Sequence, residues 1–421
     1  MKKKLIALAV AGALAAPVVA SAQGTNVTIF GRVQAEYSNT DNGTHHSQGG
    51  ISDNARSSRW GLQITEDLGR GLKANARMEM GLNTGAGSAS TPREQWVGLS
   101  SNNWGDAKFG RVQSPFKDFA GGMTIDPFAY TSLQANGAGG TMTGSANGMG
   151  SGANTFVNSA IRFDSITTEG FSFAGLLMPG DANNLSPGDA AGNGNIMNGV
   201  NGNLPGGLGA NGMTGGKDGE FDGQAAAKYA TNYMGHDLSI FGGYSRDNAN
   251  QQQKALGLRA EETWRVGGTW KYENFQVVGQ YERIANAIGA ATCSSAAALN
   301  ANPINAAGGG NSGSGQCNSA MNLGSNGDIW HVGTNYKWGN TLLVAQGGHT
   351  NANAGGVFDA DRHQSKSFTV GAIHSLSKRT SLFGGYQRVT VGTPTDYEAH
   401  VGNNNNTGNR NTWTAGLRHN F

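Results

Sequence analysis

Candidate reactive residues in this 421-residue chain are few and dispersed. The pairs His45-His46 and Glu261-Glu262 each stand alone on predicted loops. No nucleophile, base and orienting group can be assembled around either from spacing, so a barrel enzyme such as a protease or lipase is the weaker reading and solvated side chains explain both pairs. Cys293 and Cys317 lie in one Gly, Ala and Asn-rich gap. Two cysteines alone make a poor metal site, whereas in an oxidising compartment they are expected to form one loop disulfide, worth on the order of 3 kcal/mol to that loop. The sequence implies no cofactor. What is left is fixed charge: Arg59 and Arg77 sit on the polar faces of alternating segments, where a guanidinium stays ionised and acts on passing ions without reacting.

Those arginines need elements that hold them on one face. About sixteen segments of about ten residues carry apolar residues at every second position, the period of a strand with one greasy and one wet side. Val27, Ile29, Val33, Ala35 and Tyr37 share one face of the first, and Arg32, Gln34 and Glu36 the other. In the second, Ser57 to Glu66, Trp60, Leu62 and Ile64 oppose Arg59, Gln63 and Thr65. After the turn Asp67-Leu68-Gly69-Arg70-Gly71, Leu72, Ala74, Ala76, Met78 and Met80 resume the apolar face, with Lys73, Asn75, Arg77 and Glu79 inward.

Further strands are predicted at 93–100, 106–113, 156–165, 171–177, 224–233, 238–246, 262–272, 275–284, 328–337, 341–350, 367–376, 380–391 and 411–421. Short and long connections alternate strictly, from Glu273-Asn274 and Gly339-Asn340 to the long stretches 178–222 and 285–327. Antiparallel neighbours put alternate connections on opposite sides of a membrane, which sorts short turns to the periplasm and long loops outside. Trp264, Trp270, Tyr272, Trp330, Tyr336 and Trp338 fall near strand ends as candidates for interfacial girdles. Glycine pairs inside strands, as at Gly242-Gly243, Gly267-Gly268 and Gly347-Gly348, are expected to ease curvature.

Met1 to Ala22 reads as a cleaved secretory signal: Lys2, Lys3 and Lys4, an apolar stretch from Leu5 to Val19, then Ala20-Ser21-Ala22. The mature chain then starts at Gln23 and forms one barrel domain over residues 23–421. Loss of the three signal lysines takes the formal net charge from +2 to −1. No clustered basic face of the kind nucleic acid requires is present. Negative mean hydropathy does not argue against a membrane barrel, because half of each strand and all loops are polar.

At this point the chain resembles the Gram-negative general porins, the trimeric outer-membrane diffusion channels. The marks are Ser58-Arg59-Trp60-Gly61-Leu62 leading to Glu66-Asp67-Leu68-Gly69-Arg70-Gly71-Leu72-Lys73, then Arg93 with Val97-Gly98-Leu99-Ser100, and Phe109-Gly110-Arg111. Asn158-Ser159, Leu376-Ser377-Lys378-Arg379-Thr380 and the closing Gly416-Leu417-Arg418-His419-Asn420-Phe421 follow in order. The resemblance implies an all-β transmembrane barrel of about sixteen antiparallel strands, a homotrimer, and a third loop, here Ser114 to Asn154, folded into the lumen as a constriction. It also implies that loop acids, here Asp118 and Asp126, face a ladder of wall arginines. Arg59 and Arg93 match that ladder by position, Arg77 joins by parity, and Arg111 follows a possible bulge at Gly110.

Two departures stand out. Thr155, Phe156 and Val157 replace the further basic residue expected before Asn158-Ser159, with Arg162 the nearest substitute. The inward loop has only those two acids, with Lys117 beside one of them. The resemblance thus implies passive diffusion of ions and small hydrophilic solutes, with a slight anion preference from Arg59, Arg77 and Arg93. Partners implied are outer-membrane lipid, lipopolysaccharide and the assembly machinery that reads a last strand ending at Phe421. A substrate-specific outer-membrane channel is the alternative, and a secreted adhesin is disfavoured by the lack of a passenger region.

Overall fold

The computed structural model describes residues 25–41, 48–53, 57–85, 87, 92–135, 156–178, 221–248, 259–286, 326–353, 364–391 and 409–421. The expected signal segment, Cys293 and Cys317, His45-His46 and the second half of the expected constriction loop lie outside the described residues.

Alternating polarity gives strands, and the strands close on themselves. They are β1 (Asn26–Asp41), β2 (Gln48–Ser52), β3 (Arg59–Gly69), β4 (Leu72–Gly81), β5 (Pro92–Ser101), β6 (Gly105–Gln113), β7 (Phe156–Ser165), β8 (Phe171–Met178) and β9 (Asp222–Tyr233). Then follow β10 (His236–Asp247), β11 (Glu261–Tyr272), β12 (Phe275–Ala285), β13 (Asn326–Trp338), β14 (Thr341–Asn353), β15 (Gln364–Ser375), β16 (Thr380–Val391) and β17 (Asn409–Asn420). From β3 onward each strand pairs antiparallel with the next, as β3 with β4 and β16 with β17. β1 pairs with β17 from Arg32↔Asn420 to Asp41↔Asn411. Closure removes the edges that an open sheet would leave unpaired in lipid.

Seventeen strands make sixteen staves. β3 pairs with Asn26 to Arg32 of β1, and β2 pairs with Glu36 to Thr40 of the same strand, so β2 and β3 are one interrupted stave. Side chains satisfy the backbone at the break: Asp53 accepts from the amides of Ser57 (3.0 Å) and Ser58 (2.8 Å), and the Ser58 hydroxyl accepts from the Gln34 amide (2.9 Å). The sequence reading started this stave at Ser57. Gln48–Ser52, with Gly49-Gly50 at its centre, lacks the alternation that marks the other strands.

The barrel is inside out relative to a soluble core. Val27 and Ile29 are 55% and 65% exposed on the outer face, while Gln34 and Glu36 on the inner face are 0% and 1% exposed. Trp264, Trp330 and Trp413 ring the loop-side end of the outer face, and Trp270, Tyr272, Tyr336 and Trp338 the turn-side end. Two girdles of amphipathic rings bracket an apolar band, as the two interfaces of a bilayer demand. The first part of β1 and the C-terminal residue meet at the turn side: the Gly31 amide donates to the Phe421 carbonyl at 3.0 Å and the Phe421 amide returns the bond at 3.1 Å. A side chain at Gly31 would overlap the Phe421 ring.

After β6 the chain turns inward. Ser114 leads into a one-turn helix α1 (Pro115–Asp118), with proline at its first position, and a 3₁₀ turn follows at Gly122–Thr124. Two apolar clusters fasten this segment to the inner wall. Phe116, Ala120, Ile125 and Ala135 pack on Ala226, Phe241 and Val278, while Phe128 and Leu133 pack on Val344 and Phe383. Glycines make the seats: a Cβ at Gly243 would overlap Phe116, and one at Gly371 would overlap Phe128. Gly243 therefore does more than ease curvature; it leaves room for a loop side chain against the wall.

Candidate pore constriction

The inward segment is tied to the wall over much of its course. The Gln224 side chain accepts from the Phe116 amide at 2.6 Å, Gln280 accepts from Gly122 at 2.9 Å, and Arg265 donates to the carbonyls of Phe116 and Ala120. On the other flank, Gln346 donates to Asp126 at 2.9 Å, Arg418 to the Ala129 carbonyl at 3.0 Å and Gln34 to the Tyr130 carbonyl at 2.7 Å. Ser132 donates its amide to Glu36 at 3.1 Å. These contacts run from β9 to β1 and leave the arc from β3 to β6 facing the segment's polar side.

That arc, with its neighbours, carries arginines on successive staves: Arg418 on β17, Arg32 on β1, Arg59 on β3, Arg77 on β4, Arg93 on β5 and Arg111 on β6. Arg32 and Arg59 lie directly opposite in register, a like-charge pairing that disfavours the sheet unless carboxylates stand near. They do. Glu79 pairs with Arg77 at 2.7 Å, with Arg93, and with Arg59 at 3.8 Å; Arg77 also reaches Glu94 at 2.9 Å. Arg111 donates to Asn158 and stacks 5.5 Å from the Phe156 ring.

Tyr130 forms the hub on the loop side. The Arg59 and Arg93 guanidinium carbons lie 5.0 and 5.3 Å from its ring centre, and the Lys117 ammonium 5.7 Å. Burial alone would push its phenol up, but Lys117, Arg93 and Arg59 outweigh burial and hold it at about 8. Its backbone has φ 63°, a left-handed conformation rarely adopted by an aromatic residue, and one that its packed surroundings must hold in place.

The two loop acids occupy different settings. Asp118 pairs with Arg162 at 2.7 Å, and Arg162 also grips Asp164, itself joined to Lys108 at 2.8 Å. Burial raises the Asp118 carboxyl while Arg162 opposes the rise. Arg162 thus stands opposite a loop acid. Asp126 is buried on the other flank of the loop, where Arg418 is the arginine near it. It accepts from Gln346, from the Phe128 amide at 2.9 Å and from the Ala135 amide at 2.6 Å, and burial pushes it up to about 6. It fastens the loop to the wall.

Within the cluster seven cations, Arg32, Arg59, Arg77, Arg93, Arg111, Arg418 and Lys117, face five carboxylates, Glu36, Asp53, Glu79, Glu94 and Asp126, an excess of two positive charges. Sequence reasoning missed Arg32, Arg418, Glu79, Glu94 and Tyr130 as members. Strand parity already put Arg32 and Glu79 inward; Tyr130 gave no signal because the loop has no period. At Arg111 the register with β7 shifts beside Gly110, whose φ is 132°, so the bulge expected there is present.

A closed sheet, apolar outside and polar inside, with short turns at one rim, is a membrane-spanning β-barrel. A family model described as Gram-negative porin matches residues 7–394, and the chain belongs to that family. It is a multi-pass barrel of the Gram-negative outer membrane. It is 33% identical over 156 residues to an outer membrane porin protein of Bordetella pertussis, covering 32% of this chain and 39% of that protein. It is 42% identical over 120 residues to outer membrane porin protein 32 of Delftia acidovorans, covering 27% and 33%. The chain therefore aligns with less than half the length of these two relatives. Among solved structures, an anion-selective porin from Comamonas acidovorans superposes with TM-score 0.62 at 18% identity over 94% of this chain and 100% of that one. OmpF of Salmonella typhi superposes with TM-score 0.61 at 13% identity over 94% and 98%.

Proposed function

We propose that this porin is a water-filled diffusion channel for ions and small hydrophilic solutes with a weak anion preference. Its selectivity is set where Arg59, Arg77, Arg93 and Arg111, with Arg32 and Arg418, face the inward loop. The single observation that supports the sign is the excess of two positive charges in that cluster, Asp126 included in the count, with Asp118 neutralised by Arg162 outside it. A unit charge acts on an ion about 10 Å away with roughly 0.4 kcal/mol at water's dielectric, and several-fold more where water is excluded. Such a field biases ions without holding them, which conduction requires. A solved relative in fold is described as anion-selective, which agrees with the sign.

Several finer points belong to the same reading. The mature chain starts at Gln23, Cys293 and Cys317 form one disulfide in an outer loop, and the working form is a homotrimer, a trimer form being named for OmpT, an outer membrane protein of Vibrio cholerae with a similar fold. Outer-membrane lipid and lipopolysaccharide surround the barrel, and the assembly machinery reads the strand ending at Phe421. Reversal potentials across a planar bilayer under a salt gradient test the channel and its sign together: conductance with modest anion preference is expected, and clear cation preference rejects the charge assignment.

A further inference from the structure

Away from the pore, the outer face of β13 to β15 holds a cleft of about 430 Å³. Its floor is Ala345 and Gly347, and its walls are the exposed Trp330, Val332 and Phe368. Gly347 lies opposite Val332 on one side and Phe368 on the other, so a residue without a side chain separates two bulky ones and the gap follows the strands. A groove of this size suits an extended apolar chain.

The loop-side end of the cleft carries two cations, Lys366 and Arg388, with a histidine, His349, beside them. His349 lies directly opposite Lys366, and Arg388 lies opposite Phe368 on the next strand. A strand tilted 35–45° climbs ~2.5 Å of membrane height per residue. His349 and Arg388 each stand eight residues above the turn-side ends of their strands, and Lys366 nine. All three thus reach ~20–22 Å, close to the outer limit of an apolar band ~25 Å tall. Other cations near this height are matched, Arg246 with Glu262 at 2.7 Å and Arg283 with Asp328 at 2.8 Å. Among the described residues no carboxylate pairs with Lys366 or Arg388.

We propose that this cleft seats one acyl chain of the phosphorylated glycolipid of the outer leaflet, with a phosphate of its headgroup held between Lys366 and Arg388 and His349 beside them. Lipid tails are as apolar as the wall, so seating a chain gains packing and little else, and preference for one lipid comes from the charged end. The proposal deepens the reading that lipopolysaccharide surrounds the barrel, rests on it and on the orientation with long loops outside, and is independent of the ion selectivity.

The test is a lipid titration of the full-length protein in detergent, read by native mass spectrometry, with bisphosphorylated lipid A and with the same lipid after its phosphates are removed. The wild type is expected to bind the phosphorylated form at least tenfold more tightly, Lys366→Gln with Arg388→Gln to abolish that preference, and Lys366→Arg to retain it. Ala345→Phe, which fills the cleft, should weaken both lipids, and Arg283→Gln should change neither. Each variant is checked for folding by its shift in electrophoretic mobility on heating. Phosphate preference that survives in the double variant, or an equal loss in Arg283→Gln, overturns the site. A trimer that falls apart in the double variant also overturns it, by showing that the cleft is covered by a second copy. A wild-type protein that conducts but shows no phosphate preference refutes the site alone, whereas one that forms no channel strikes the channel reading instead.

Discussion

Neutralising Arg77 gives the most direct measure of how the cluster sorts ions. Its side chain is 26% exposed, the most accessible of the three arginines that share Glu79, so Arg77→Gln removes a charge without opening a buried hole. Glu79 keeps Arg93 and Arg59, and Glu94 keeps the Gln113 amide and the Trp96 ring nitrogen, each at 3.2 Å. The cluster's excess falls from two positive charges to one. At about 10 Å in water one unit charge contributes roughly 0.4 kcal/mol, and it acts in opposite directions on an anion and a cation. The anion-to-cation permeability ratio should therefore fall roughly fourfold in dilute salt, and about twofold once a Debye length of about 10 Å screens the site. Glu94→Gln is the mirror and should raise the ratio by a similar factor. Reversal potentials under a fixed salt gradient, repeated at two ionic strengths, read both. If the two variants shift the ratio in the same direction, or neither shifts it, these side chains do not set the field felt by permeating ions and the charge argument fails.

Three other perturbations probe the loop. The Tyr130 phenol, held at about 8 by Lys117, Arg93 and Arg59 against its burial, should ionise between pH 7 and 9; anion preference then drops as pH rises, and Tyr130→Phe should flatten that profile. Asp126 is raised by burial from 3.8 to about 6, so its contribution to loop docking is fully present below about pH 4 and is lost as pH rises through 6; hydrogen exchange of residues 126–135, corrected for intrinsic rates, should show firmer docking in acid, and Asp126→Asn should remove the dependence. Gly243→Leu places a side chain where the Phe116 ring sits, and displacing that fully buried ring should cost about 3–5 kcal/mol of loop docking, visible as added current noise and as faster proteolysis between residues 114 and 135 while the barrel stays heat-modifiable.

Parity was legible from the residues alone because the alternation of side chains along a strand is a local property of the backbone. It placed Trp60, Leu62 and Ile64 on lipid and Arg59 and Arg77 on water before any partner strand was known, and the sorted connection lengths oriented the barrel in its membrane. The broken stave at Gln48–Ser52 escaped because its glycines carry no alternation. Which charges cancel is a matter of register between strands and of where a non-periodic loop settles. Glu79 answers three arginines only because β3, β4 and β5 bring them together, and Asp126 is held at the far wall by Gln346, 220 residues away in sequence, as well as by amides of its own loop. The sequence by itself determined a cylinder with arginines on its inner face; the tertiary structure decided how much of that positive charge is left for ions to feel, since electrostatic balance depends on distances across the barrel that no local pattern records.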